Sequence, residues 1–294
     1  MATATALKTT VSVRNVLIAT DFSRASSEVL HAGMDFCHAY GAHAHILYVL
    51  PQAEFALAGF EAYAAAREAA NRDMLELDGQ LRRKYPCGQT KDYDLLISEG
   101  DVADCIFTCA RDNKIDLIVV GTHGRKGLSK AFLGSVAERI FRHADIPVLT
   151  IGPNSRQLPP SGPKRLLVPV DFTAASQHSA RYGCALAREH HADLLLMHVM
   201  HDVRGGAMAD LECLKHNVEK SLAGLIECET KPGTVRVIAR LGKVEPTILD
   251  AITEFEADMM VLGVHTYPGL LDHLRSQTAY NLVRQASCPV LTVR

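Results

Sequence analysis

The chain carries one sequence pattern twice, and this repeat constrains the fold more than any other feature. Residues 15–23 (NVLIATDFS) return as residues 165–173 (RLLVPVDFT), an apolar run that ends in Asp-Phe and a hydroxyl residue. Further along, residues 116–121 match residues 258–263, and both segments end in glycine. A repeat of this length predicts two copies of one domain, and 294 residues give each copy an ordinary domain size.

A segment between the copies marks the boundary. Residues 152–163 (GPNSRQLPPSGP) are rich in proline, glycine and polar residues, which continue neither a strand nor a helix. The sequence therefore predicts a first domain over residues 1–152, a linker over 153–163 and a second domain over 164–294.

Within each copy, short apolar runs alternate with longer amphipathic stretches. In the first copy the predicted strands are 15–20, 43–49, 92–97, 117–120 and 147–151, and the predicted helices are 26–40, 58–85 with a break near Gly79, 102–113 and 135–143. Strands that are apolar throughout are typical of parallel sheets covered by helices on both faces. The fold class is therefore α/β, with each domain a doubly wound five-stranded parallel sheet.

Composition and charge exclude several classes of function. Lys plus Arg total 31 against 33 Asp plus Glu, so no net positive field favours nucleic acid or an anionic membrane. Residues 1–13 have no long apolar core, which argues against a signal peptide or a membrane span. The eight cysteines form no CxxC pair and are expected to be free thiols. We expect a cytoplasmic protein.

A glycine-rich loop follows the fourth predicted strand. Gly121, Gly124 and Gly127 fall within seven positions, and Gly134-Ser135 opens the next predicted helix. Glycines let a backbone approach an anion, and the N–H groups at a helix start point towards it. The loop also carries the cations Arg125, Lys126 and Lys130. The spacing fits neither a Walker loop nor a dinucleotide GxGxxG. A phosphorylated ligand is predicted here.

Two further features have open interpretations. Asp21 follows the first strand, where it serves either as a helix N-cap, alongside Ser23 and Ser26, or as an acceptor for a ribose hydroxyl or an adenine amino group. His43 and His45 alternate on the second predicted strand, but the sequence places no carboxylate or cysteine partner beside them, so no metal site is predicted.

Both halves resemble universal stress protein domains. In the first copy the family's G-x2-G-x9-G-S/T signature is complete at Gly121, Gly124, Gly134 and Ser135. The resemblance implies two tandem Rossmann-like domains of the adenine nucleotide alpha hydrolase-like type. It also implies ATP in the first, with Mg²⁺ or Mn²⁺ carried by the phosphates. The nucleotide-binding residues that it implies are Thr20, Asp21, Val49, Gly121, Thr122, His123, Gly124, Arg125, Gly127, Gly134, Ser135 and Val136.

The second copy departs from that signature. Gly263 is kept, but Thr266, Ser276 and Gln277 stand where the first copy has Gly124, Gly134 and Ser135. Side chains at two glycine positions narrow the approach to the backbone, and Asp272 would repel a phosphate. The second copy is predicted to bind ATP weakly or not at all.

The resemblance implies an ATP-binding stress sensor or regulator, and at most slow ATP hydrolysis is expected because no nucleophile and base pair stands out in the sequence. Two alternatives remain open. One is an adenylylating enzyme, whose substrate pocket residues 51–91 would build. The other is a scaffold, or a binder of an apolar ligand, that does not depend on nucleotide. The resemblance further implies that the two domains pair through their last strands, which Pro147 and Pro289 open, and it leaves a homodimer open.

Overall fold

The computed structural model describes residues 11–51, 59–85, 92–122, 134–200, 208–226, 234–264 and 272–294. These residues divide into two compact units. The first unit comprises Val13–Gly162 and Val283–Leu291. The second comprises Pro163–Leu282 and Thr292–Arg294, together with the described residues before Val13. The residue-level domain boundaries given above stay predictions.

Strands and helices alternate along the first half of the chain. In order they are β1 (Asn15–Thr20), α1 (Arg24–Tyr40), β2 (His43–Leu50), α2 (Gly59–Lys84), β3 (Tyr93–Glu99), α3 (Val102–Asp112), β4 (Leu117–Gly121), α4 (Ser135–His143) and β5 (Val148–Ile151). The strand order is β3-β2-β1-β4-β5, and every neighbouring pair in it is parallel. The predicted α/β fold with a five-stranded parallel sheet is confirmed here.

The second half repeats this arrangement. Its elements are β6 (Arg165–Pro169), α5 (Ala174–His190), β7 (Asp193–Met200), α6 (Met208–Ala223), β8 (Val235–Leu241), α7 (Val244–Glu254), β9 (Met259–Gly263), α8 (Asp272–Gln285) and β10 (Val290–Val293). The order is β8-β7-β6-β9, with parallel pairs throughout. Beyond the end of β9, the N–H of Val264 donates to the carbonyl of Val293 at 2.9 Å.

The central strands are buried on both faces, as their apolar sequences predict. Val16, Leu17 and Ile18 of β1 have no exposed surface. Helix α1 comes unusually close to this strand, because a Cβ added at Gly33 would lie 2.7 Å from the Cδ1 of Ile18. In the second unit, a Cβ added at Gly183 would likewise lie too close to the side chain of Val168. A glycine in each helix thus sets the distance between the helix and the first strand of its sheet.

One predicted detail of the helices is wrong. Helix α2 runs without interruption through Gly79, where a break was expected. A single glycine lowers helix stability but does not end a helix whose flanking residues favour it. The flanking residues 74–78 (MLELD) and 80–84 (QLRRK) are mostly strong helix formers, and Met74, Leu77 and Leu81 are buried along one face of the helix.

An aspartate joins the start of the first strand to the start of the fourth in each half. The Oδ2 of Asp116 accepts hydrogen bonds from the N–H groups of Arg14, at 2.8 Å, and Asn15, at 3.0 Å. Asp258 accepts from the N–H groups of Lys164, at 2.8 Å, and Arg165, at 3.1 Å. The repeated aspartate therefore satisfies backbone donors at the sheet edge.

The described residues bear on two further expectations, about the cysteines and about membrane spans. Among the described cysteines, Cys37, Cys105, Cys109 and Cys213 are free thiols. Within the part of the chain that the structure describes, none of the helices combines the length and the apolar character that a bilayer span requires.

Candidate functional site

The carboxyl edge of the first sheet brings together the ends of three strands. β1 lies between β2 and β4, with Thr20 paired to Tyr48 and Ile18 to Val119. Asp21, Val49 and Gly121 therefore fall at one edge. The strand order reverses between β1 and β4, and open parallel sheets bind ligands at such a reversal.

The turn after β1 settles which residue caps helix α1. The Ser23 hydroxyl oxygen accepts the N–H of Ser26 at 3.2 Å, so Ser23 is the N-cap, rather than Asp21 or Ser26. The Asp21 Oδ1 instead accepts the N–H of Ser23 at 3.0 Å. The Thr20 hydroxyl lies within the same turn and accepts the N–H of Phe22 at 3.2 Å. These bonds fix the position of the half-buried Asp21 carboxylate at the sheet edge.

Phe22 adopts a backbone conformation that is rare for a bulky residue. Its φ is 60°, and its ring lies 4.7 Å from that of Tyr48 on β2. In the second unit Phe172 has a φ of 62° and its ring lies 5.0 Å from that of His198. The left-handed conformation costs on the order of 1–3 kcal/mol, which the ring packing offsets. Since both halves share it, this turn belongs to the fold and does not by itself indicate a ligand.

The two ends of the glycine loop meet at Thr122. This residue is only 1% exposed, and its N–H donates to the carbonyl of Ile151 at 3.0 Å. Its own carbonyl accepts the N–H of Gly134 at 2.8 Å. The loop from β4 to α4 therefore leaves and returns at one point of the sheet edge. Four of the predicted binding residues, His123, Gly124, Arg125 and Gly127, lie outside the described residues.

Helix α4 begins differently from its neighbours. Side chains cap α1 at Ser23 and α3 at Asp101, whereas the N-cap of α4 is Gly134, which has no side chain to offer. Ser135 is exposed and Val136 is half-buried. Among the described residues, no side chain caps the N–H groups in the first turn of α4, and this arrangement favours an anion.

The described cations of α4 are already paired with carboxylates. Arg139 bonds Asp101 and Asp104, each at 2.5 Å, and Arg142 bonds Glu138 at 3.0 Å. The pKa of Asp101 is lowered, chiefly because its carboxylate accepts the backbone N–H of Asp104 and also because Arg139 lies beside it. Cations for a phosphate would therefore come from the loop between β4 and α4, where Arg125 stands.

The strand-end glycine of the second unit has a packing role. A Cβ at Gly263 would lie 2.3 Å from the carbonyl oxygen of Ala175 and 2.8 Å from the nitrogen of Ser176. Both contacts are with backbone at the start of α5, so no side chain fits there. This packing explains a glycine at residue 263 without any phosphate.

One premise of the expectation about the histidines is wrong, namely that no carboxylate lies beside them. Asp94 of β3 lies beside His43 and His45, because the pairing of β2 with β3 sets His45 directly opposite Asp94. This cluster was missed because strand register, which the sequence does not reveal, brings the carboxylate to the two imidazoles. It lies at the amino ends of these strands, away from the carboxyl edge.

Comparison with known proteins gives consistent matches. A model of the universal stress protein family matches residues 12–152 and 162–294. A universal stress protein of Methanocaldococcus jannaschii is 30% identical over 142 residues, which are 47% of this chain and 81% of that protein. The crystal structure of a universal stress protein from Archaeoglobus fulgidus aligns with 97% of each chain, at a TM-score of 0.71 and 19% identity.

A third similar protein holds a nucleotide. The structure of a universal stress protein family protein from Arabidopsis thaliana has AMP bound. It aligns with 45% of this chain and 91% of its own, at a TM-score of 0.33 and 15% identity. At these values the likeness does not place a nucleotide in this chain.

Proposed function

Because the chain belongs to the universal stress protein family, we propose that its first unit binds ATP and acts as a cytoplasmic stress-response sensor or regulator. The observation that carries the proposal is the meeting of the loop ends at Thr122 and Gly134, directly before a helix start that no side chain caps. An anion at that start is stabilised by the helix dipole and by the backbone N–H groups of the first turn.

The described residues suggest a role for each part of the nucleotide. Asp21, at the end of β1, accepts from the ribose hydroxyls or the adenine amino group, and the backbone near Val49 borders the base. The backbone N–H groups of Ser135 and Val136 and the Ser135 hydroxyl donate to the phosphates. Gly121 and Thr122 form the part of the site at the end of β4. His123, Gly124, Arg125 and Gly127 complete the loop side, with Mg²⁺ or Mn²⁺ carried by the phosphates.

We propose that the second unit does not share this activity. It keeps the turn after its first strand, where the Asp171 Oδ1 accepts the N–H of Thr173 at 3.0 Å. Its strand-end glycine, Gly263, is accounted for by packing against Ala175. The features that the two units share are therefore features of the fold. The residues that differ between them lie at the positions proposed to bind the phosphates. One ATP per chain is expected.

A charge placed at the helix start tests the proposal. Ser135→Glu adds an acid to the first turn of α4, where the helix dipole tolerates or favours it, so the fold should persist. The same carboxylate would repel a triphosphate. Calorimetry on the full chain should show one ATP bound to the natural protein and at least about a tenfold loss of affinity, or about 1.4 kcal/mol, in the variant.

The matched control is Gln277→Glu, the corresponding position of the second copy, which is also exposed. ATP affinity should be unchanged there. If Ser135→Glu binds ATP as tightly as the natural chain, the phosphates lie elsewhere and the proposal is wrong. Two ATP molecules per chain would contradict the assignment to a single unit.

The cellular location and the assembly state are part of the same proposal. Free thiols at Cys37, Cys105, Cys109 and Cys213 suit a reducing compartment. Family membership supports pairing of the two domains within one chain. A homodimer is a separate possibility that sedimentation tests directly, since one chain has a mass of 32.0 kDa.

A further inference from the structure

We propose that His43, His45 and Asp94 form a binding site for a divalent transition-metal ion, with Zn²⁺ as the best fit. The three side chains share one face of the sheet at the amino ends of β2 and β3. Parallel pairing sets His45 opposite Asp94, and His43 precedes His45 by two residues, so it points to the same face.

The distances already approach those of a coordinated ion. The Nε2 of His43 lies 2.9 Å from the Oδ2 of Asp94, and the Nδ1 of His45 lies 3.7 Å from the same oxygen. One ligand atom from each residue falls within 4.8 Å of the others. Zinc binds nitrogen and oxygen at about 2.0–2.2 Å, so the ligands of one tetrahedral ion are roughly 3.3–3.5 Å apart. Small side-chain movements would bring all three into range.

The buried side chain of His45 gives independent evidence that the site lacks a bound group. This histidine is only 7% exposed, and its Nδ1 is buried without a hydrogen-bond partner among the described residues. Buried polar atoms are nearly always satisfied, so such an atom aimed at two other ligands indicates an absent group.

The ligand set selects the class of ion. Two imidazoles and one carboxylate suit zinc and its neighbours in the first transition series, whereas Mg²⁺ and Ca²⁺ prefer oxygen ligands alone. The side chains of His43 and Asp94 are 34% and 57% exposed, which gives an ion a path from solvent and leaves a coordination position for water. The alternative is a simple contact between His43 and Asp94 with no ion, and it leaves the buried Nδ1 unexplained.

The ion would join the edge strand of the first sheet to its neighbour. β3 is the outermost strand in the order β3-β2-β1-β4-β5, and a zinc ion would bridge it to β2. Any ion that binds the folded chain alone raises its stability in proportion to its concentration. The site stands apart from any metal that arrives with a nucleotide, since it lies at the opposite edge of the sheet.

Zinc titration of the full chain tests this site. After treatment with a chelator, the chain is titrated with Zn²⁺ by calorimetry and in competition with a chromogenic chelator. The natural chain should bind one Zn²⁺ tightly, and His43→Gln, His45→Gln and Asp94→Asn should each lose at least about tenfold in affinity. Zinc should also raise the melting temperature of the natural chain but not of these variants. His143→Gln, at an exposed histidine of α4, is the matched control.

The test does not depend on the variant of His45, which is the most buried of the three residues. If His45→Gln fails to fold, His43→Gln and Asp94→Asn replace exposed or half-buried groups and carry the comparison. Zinc affinity that is equal in these variants and the natural chain would overturn the proposal. So would a natural chain that takes up no zinc when both are present at equal micromolar concentration. ATP binding is measured in parallel and should be the same in all variants, so a failure of one proposal is distinct from a failure of the other.

Discussion

The N–H of Gly134 donates a hydrogen bond of 2.8 Å to the carbonyl oxygen of Thr122. This bond joins the end of β4 to the start of α4, although eleven residues, 123–133, separate the two in sequence. The φ and ψ of Gly134, −56° and 145°, are open to any residue, so its backbone conformation does not demand glycine. What demands a small residue is the space beside Thr122.

The first prediction concerns Gly134→Ala. An added Cβ would lie 3.2 Å from the Thr122 carbonyl oxygen, a contact that requires a shift of a few tenths of an ångström. The fold should tolerate that shift with a stability loss of less than about 1 kcal/mol, since overpacking costs more only where nothing can move. ATP affinity should fall about tenfold, because the helix start and the loop end no longer meet as closely. Calorimetry and thermal melting on the same samples separate the two effects. Equal ATP affinity would show that this junction does not shape the site.

Much of the architecture could be predicted from the repeated apolar runs. The five predicted strands of the first half match the observed ones within two residues at each end. Strands that are buried on both faces contain few polar residues, so their apolar runs can be recognised in the sequence. The Gly79 prediction was wrong because the flanking helix formers outweigh one glycine.

The candidate site was less predictable. Asp21 and Ser23 are both capping residues, and the sequence alone does not decide between them. That Ser23 caps α1 while Asp21 accepts the N–H of Ser23 depends on the φ and ψ values of the turn. The joining role of Asp116 and the meeting of Asp94 with His45 depend on which strands are neighbours and in which register. Such long-range pairings are set by packing over the whole sheet and leave no local signal.

The second prediction is that Gly263→Ala destabilises the second unit without affecting ATP. Its Cβ would be forced to 2.3 Å from the carbonyl oxygen of Ala175, and the obstructing atoms are backbone. Overpacking of this kind costs about 1–3 kcal/mol, and more where the neighbours cannot move. Chemical denaturation of the full chain should show the loss, while ATP affinity stays at the natural value.

Gly79→Ala is the control for that substitution. The added Cβ would meet only the Arg83 side chain, at 3.6 Å, in the middle of a regular helix. Replacement of glycine by alanine there should stabilise the chain by about 0.5–1 kcal/mol. If both variants destabilise equally, the contact with Ala175 is not the cause.

The third prediction concerns the aspartates that join the strand starts. Asp116→Ala leaves the N–H groups of Arg14 and Asn15 without their acceptor, and Asp258→Ala does the same for Lys164 and Arg165. These bonds are exposed or part-buried, so water can replace the lost acceptor in part, and each variant should lose about 0.5–1.5 kcal/mol and unfold at lower denaturant. Asp112→Ala, at an exposed end of α3, is the control and should change stability little. Hydrogen exchange should be faster at the unpaired amides, and unchanged exchange there would contradict the assignment.

The last prediction is a pH dependence at His31 on α1. Burial, and next the charge of Lys84, lower the pKa of His31 below its ordinary value of 6.5, while Asp35 acts in the opposite direction. Just below pH 6.5 the unfolded chain therefore binds a proton that the folded chain does not, so the free energy of unfolding falls as the pH falls through this window. His31→Gln should make that fall shallower, whereas His38→Gln, exposed on the same helix, should leave it unchanged. Denaturant titrations between neutral and mildly acidic pH, with chelator present to keep His45 free of metal, measure the slopes. NMR titration of the His31 imidazole gives its pKa directly, and a value at or above the ordinary one would refute the prediction.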